Sequence, residues 1–134
     1  MPDSIEQYAH RMLQTIAGSP IVAASTVLLD KRTARSGLIR GDLTMLDGSR
    51  LYFRELVDTG SIAARQMYSY HYQSETGTLI FRYDDTPHHR HPSGFPHHKH
   101  ADTEKNVITA TPPDLAQILR EVESTVDFGP GVSA

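Results

Sequence analysis

Six of the chain's eight histidines fall within the thirteen residues from His88 to His100. The segment from Thr86 to His100 holds His88, His89, His91, His97, His98 and His100 together with Arg90 and Lys99, and no acid. Its local charge is therefore +2 and grows as the imidazoles protonate near their ordinary pKa of about 6.5. Three chemistries compete for such a segment. Cleaving RNA without a metal needs a base for the 2′-hydroxyl proton and an acid for the leaving oxygen. Histidine serves as either near neutral pH, while Arg or Lys holds the phosphate as negative charge builds. Arg82, Arg90 and Lys99 stand among the imidazoles, and Asp84 or Asp85 could orient one of them. The second chemistry is a metal site. His89 and His91, or His98 and His100, are two apart and share a side in extended chain, which suits Zn, Ni or Cu. No zinc-finger or HExxH spacing accompanies them. The third is a solvated loop shaped by its prolines. The first is favoured, with no cofactor; a divalent metal, Zn or Ni, held by His89, His91, His98 and His100 is the alternative.

The elements that must position these residues follow from periodicity. Ser4 and Gln7 form a capping box ahead of Ile5, Tyr8, Met12, Leu13 and Ile16 at helical spacing, and Gly18 and Pro20 end the pattern. The run from Ile21 to Leu29 is rich in Ile, Val and Ala and reads as a strand buried on both faces. From Leu38 to Leu46 the chain alternates, with Ile39, Leu43 and Met45 on one side and Arg40, Asp42 and Thr44 on the other. Asp47-Gly48 turns it into a returning strand from Arg50 to Val57. A second hairpin joins Met67–Gln73 to Thr78–Asp84. With Gln73 opposite Thr78, Tyr68, Tyr70, Tyr72, Leu79, Phe81 and Tyr83 share one face, and His71, Ile80, Arg82 and Asp84 the other. Tyr83 is thus core by parity, with a hydroxyl that could reach an edge. Prolines 87, 92 and 96 with Gly94 keep regular structure out of the His-rich segment, read as a loop over 86–105. Val107 and Ile108 suit a short strand. Thr111 caps a last helix with the stripe Leu115, Ile118, Leu119 and Val122, and the tail 127–134 is loose.

The expected fold is a single α+β domain over 1–134. It is a mostly antiparallel meander of about five strands in two hairpins, with an N-terminal and a C-terminal helix. Cysteine is absent, which removes disulfides, thiol nucleophiles and Cys-based metal sites and suits a reducing, cytoplasmic setting. A formal charge of −3 gives no general attraction to nucleic acid or anionic membrane. No apolar run approaches the roughly 18 residues of a membrane span, and the first twenty residues lack a signal peptide's hydrophobic block. Ser93 has no GxSxG turn, and Gly129-Pro-Gly131 has no lysine or helix to make a phosphate loop. Arg40, Arg50 and Arg54 could track a phosphate backbone, bind an acidic partner, or form a solvated face.

The run Leu79-Ile-Phe-Arg-Tyr-Asp84, then Pro87-His-His89, then Phe95-Pro-His-His-Lys-His100 resembles the TumE-like toxins of toxin–antitoxin pairs. The resemblance covers about residues 67–122. Asp85 stands where relatives often carry Asn. The likeness implies a small cytoplasmic toxin neutralised by a cognate antitoxin, with RNA or the ribosome as the usual class of target. By motif position it implies functional roles for Arg82, Tyr83, Asp84, His88, His89, His97, His98, Lys99 and His100. Together the two lines give a ribonuclease. His88, His89, His97, His98 and His100 are its acid–base set, oriented by Asp84, and Arg82, Lys99, Tyr83 and His71 are its RNA contacts. The alternative is a non-enzymatic module whose His-rich loop binds a metal or a protein. A homodimer is compatible with either.

Overall fold

A computed structural model describes residues 3–85, 98–101, 107–109 and 113–126, with the backbone alone for 98–101 and 107–109. The first helix, α1 (Ile5–Ala17), begins as its sequence requires. Ser4 Oγ accepts from the Gln7 amide at 3.1 Å and Gln7 Oε1 from the Ser4 amide at 2.8 Å. It buries Ile5, Ala9, Met12 and Ile16. Leu13, expected in the stripe, is 45 % exposed, and Ala9 takes its place on the sheet side.

Seven strands then form one antiparallel sheet in simple sequence order among the described residues. They are β1 (Val22–Lys31), β2 (Ser36–Met45), β3 (Arg50–Asp58), β4 (Arg65–Gln73), β5 (Leu79–Asp84), β6 (His98–Ala101) and β7 (Val107–Thr109). The expected five-strand meander is present, and β6 and β7 extend it. Strand β6 lies inside the segment read as loop, because pairing with β5 supplies what its polar sequence does not signal. The short strand expected at Val107 and Ile108 is β7. Strand β1 is not doubly buried; it is the sheet's outer edge, and most of its residues are exposed.

The β2–β3 hairpin closes through Gly48 at a φ of 83°, where a side chain would be strained. In the β4–β5 hairpin Gln73 pairs with Leu79 rather than Thr78, and an irregularity follows before Tyr72 meets Phe81. That bulge absorbs Ile80, which packs against the core instead of joining Arg82 on the far face. The second helix, α2 (Leu115–Thr125), is capped by Asp114, whose carboxylate accepts from the Gln117 amide at 2.8 Å. Thr111, the expected cap, lies outside the described residues. Asp114 wins because Gln117 three residues on reciprocates to the Asp114 amide at 2.9 Å.

Both helices bury their stripes in one cluster with Ile39, Leu43, Leu51, Phe53, Tyr68, Tyr70, Tyr72 and Phe81, all from a single face of the sheet. Across β4 and β5, Tyr72 packs on Phe81 with ring centroids 5.2 Å apart, and Tyr70 packs on Phe53 at 6.1 Å. Buried phenols need partners. Tyr8 donates to Glu55 at 2.6 Å, Tyr70 donates to the same carboxylate, Tyr72 meets Ser49 at 2.7 Å, and Tyr83 donates to Glu121 of α2 at 2.7 Å.

Burial and the neighbouring Glu55 raise Tyr8 and Tyr70 above the ordinary phenol range. Burial also raises Tyr68, and burial with the Glu121 contact raises Tyr83. In the unfolded chain these phenols ionise near pH 10, so the stability they lend is complete below that pH and falls as pH rises beyond it. A tyrosinate absorbance titration should show Tyr8, Tyr68, Tyr70 and Tyr83 ionising late, together with loss of the near-UV circular dichroism. Six phenols titrating together near pH 10 in a folded protein would contradict this packing.

Candidate functional site

Because β-strand side chains alternate, the residues between the buried tyrosines are forced onto the opposite face, where no helix among the described residues packs. Two cross-strand rows run over that face. In one, Asp42, Tyr52, His71 and Arg82 stand opposite one another in turn, and the register continues to His100. In the other, Arg40, Arg54, Ser69 and Asp84 are aligned, and the register continues to His98. Lys99 falls in the alternate row, opposite Tyr83.

Arg82 Nε lies 3.1 Å from Asp84 Oδ2, with Asp84 fully buried and the Arg82 side chain 29 % exposed. The ion pair makes that burial tolerable. His71 Nε2 is 3.1 Å from Gln73 Oε1, and its ring lies 6.3 Å from that of Tyr52. The Arg50 guanidinium sits 5.1 Å over Tyr52 and is 2.6 Å from Asp42, whose carboxylate holds it more firmly protonated. Arg40 and Arg54 are exposed, directly opposite one another, and have no ion pair among the described residues. Like charges so placed repel unless an anion joins them. Next to Arg54 is a groove of about 210 Å³ lined by Arg32, Leu38, Leu56, Met67 and Ser69.

The structure thus brings His71, Arg82 and Asp84 together and sets His98 and His100 in register with them. Tyr83 is not part of that set: it lies on the core face and bonds to α2. Asp85, the other carboxylate that could orient an imidazole, is engaged elsewhere. Its Oδ1 accepts from the Tyr68 amide at 3.0 Å and so closes the end of the β4–β5 ladder. His88, His89, His91 and His97, with Arg90, lie outside the described residues. The metal alternative therefore rests on a set of which His89 and His91 are outside them. Among the described residues no three His, Asp or Glu side chains gather as a metal site.

Sequence reasoning missed Glu55, buried on the core face and joined to Tyr8 and Tyr70, with Arg65 at 3.8 Å. Arg65 in turn donates to Tyr70 at 3.1 Å and to the Pro113 carbonyl. The available signal was parity, since Glu55 occupies the same alternate position as Leu51, Phe53 and Val57. Its hydrogen-bonding capacity is taken up by these contacts, which tie α1, β3, β4 and the start of α2 together.

A meander sheet with two helices on one face and a basic, histidine-bearing opposite face defines a small open-faced α+β protein. The family model described as Toxin TumE matches residues 10–127, and the chain belongs to that family. It is the toxin of a toxin–antitoxin system, and its partner is an antitoxin. The match takes in most of the first sixty residues as well as the His-rich half. No curated protein and no solved structure matches the chain significantly. Among the described residues no helix is long and apolar enough to cross a membrane.

The buried pair yields a direct test. Arg82→Leu should cost about 2–4 kcal/mol by removing the cation 3.1 Å from the buried Asp84 carboxylate, and adding Asp84→Asn should recover part of that loss. Urea unfolding of the two singles and the double should show coupling of at least about 1 kcal/mol. Strict additivity would contradict the pairing.

Proposed function

We propose that this toxin acts in the cytoplasm on RNA, free or ribosome-bound, and cleaves it by histidine acid–base chemistry on the helix-free face of the sheet. The observation that carries the reading is the β5–β6 register, which sets His98 opposite Asp84 and His100 opposite Arg82, next to His71. A base imidazole from His98 or His100 takes the 2′-hydroxyl proton. The freed oxygen attacks phosphorus to form a cyclic phosphate, and a second imidazole (His88, His89 or His97) protonates the departing 5′-oxygen. Arg82 holds the phosphate while its charge grows, and Asp84 orients an imidazole; Lys99, expected as a second phosphate contact, shares the row of Tyr83 and takes no part on this face. The exposed Arg40–Arg54 pair extends the cationic surface along the row that includes His98. This concentration of cations on one face is how a chain of net charge −3 would engage a polyanion.

The deciding experiment incubates labelled RNA with the purified protein, with and without EDTA, beside a His98→Ala/His100→Ala variant. Cleavage should survive EDTA and disappear in the variant, whose thermal midpoint stays close to the parent's. Cleavage lost to EDTA would move the histidines into a metal site. A variant that still cleaves and still stops growth would remove them from the chemistry, and no cleavage by either protein would leave the metal- or protein-binding module.

The arginine row makes a separate prediction. Arg40→Glu/Arg54→Glu should weaken binding of single-stranded RNA about tenfold or more. Loss of two phosphate contacts should also flatten the slope of log K against log salt by about 1.4. An unchanged slope would show that the pair lies off the RNA path.

A further inference from the structure

Strand β1 has the sequence of an interior strand and the position of an edge. The seven residues from Ala23 to Leu29 contain no charge, proline or glycine, and they lie on the outermost strand of the sheet. Exposed edges are normally blunted by lysines, prolines, short length or bulges, because their free N–H and C=O groups recruit further strands. Here the devices are an irregularity between Val22 and Ala24 and the charges of Asp30 and Lys31 at the far end, which leave the seven residues between them unguarded. From Ala24 to Lys31 the ladder with β2 is regular, so the outer edge is straight over eight residues. Leu28 is 63 % exposed on the helix-free face. The opposite edge of the described sheet, β7, spans only Val107–Thr109.

We propose that β1 pairs antiparallel with β1 of a second copy of this chain, about a two-fold axis at Thr26, joining two sheets into one. The sequence is self-complementary in that register. Thr26 meets its own counterpart, a favourable cross-strand pair, and Leu28 lies against the small Ala24 of the other copy. Asp30 and Lys31 fall opposite the uncharged Val22 and Ile21, so no like charges face each other. An uncharged strand offers nothing to select a charged peptide, whereas it matches itself. The union continues the helix-free faces of the two copies into one surface, since Leu28 stands next to Arg40 in the β1–β2 register.

The test uses the full-length chain alone. Light scattering on a sizing column should give twice the chain mass, and Thr26→Lys/Leu28→Lys should give one chain mass with unchanged circular dichroism. Because the chain has no cysteine, Thr26→Cys introduces a single thiol. Mild oxidation should link that variant into a dimer, while Thr76→Cys, in the distant exposed β4–β5 turn, should not link. A monomeric parent would overturn the proposal, as would a dimer that survives the lysine pair or fails to link at residue 26. A monomer whose lysine variant loses only its antitoxin would assign the edge to that partner instead, and would equally overturn it.

Discussion

The period of two along β3, β4 and β5 is the constraint on which the rest of the structure depends. Burying Tyr68, Tyr70 and Tyr72 with Leu51, Phe53 and Phe81 under two helices commits one face of the sheet. His71, Ser69, Arg54 and Arg82 must then stand on the other. A slip of one residue would place imidazole and guanidinium in the core and phenols in water, so register and site are set by the same energy. The phenols sharpen the commitment. Their hydroxyls require Glu55, Ser49 and Glu121, which fixes α1 and α2 to the sheet as well as to the core.

Much of this was legible in the residues because it is local. The Ser4–Gln7 box, the Asp47-Gly48 turn, and the alternation of Ile39 with Arg40 and of Tyr70 with His71 depend only on neighbours within a few positions. What escaped was decided elsewhere in the chain. The Ile21–Leu29 run reports a preference for strand and burial, but nothing in it states which strands lie beside it, and β1 came to rest at the edge. His98–Ala101 carries no apolar pattern and becomes strand by pairing with β5. The Ile80 bulge depends on how the Gly77 turn closes, with φ at 92°; it moved Ile80 from the far face to the core and set Leu79, expected on the core face, opposite Gln73 and outside the core cluster.

The candidate site was legible as a composition and not as a geometry. Six histidines near two cations announce acid–base, phosphate or metal chemistry, yet only the sheet register sets His98 and His100 beside Asp84, Arg82 and His71. It also separates Tyr83 from them, since an odd position on β5 must serve the core. Glu55 was hidden because an isolated acid in an alternating strand looks like a misplaced polar residue until its tyrosine partners are in view.

We propose the helix-free face as the working face of this toxin. The most direct measurement is an amide and imidazole NMR titration of the labelled protein with a short single-stranded RNA carrying a non-cleavable 2′-deoxy linkage. Shifts should concentrate at Arg54, Ser69, His71, Arg82, His98 and His100, with α1 and α2 unmoved. Shifts confined to the helices, or none at all, would contradict it.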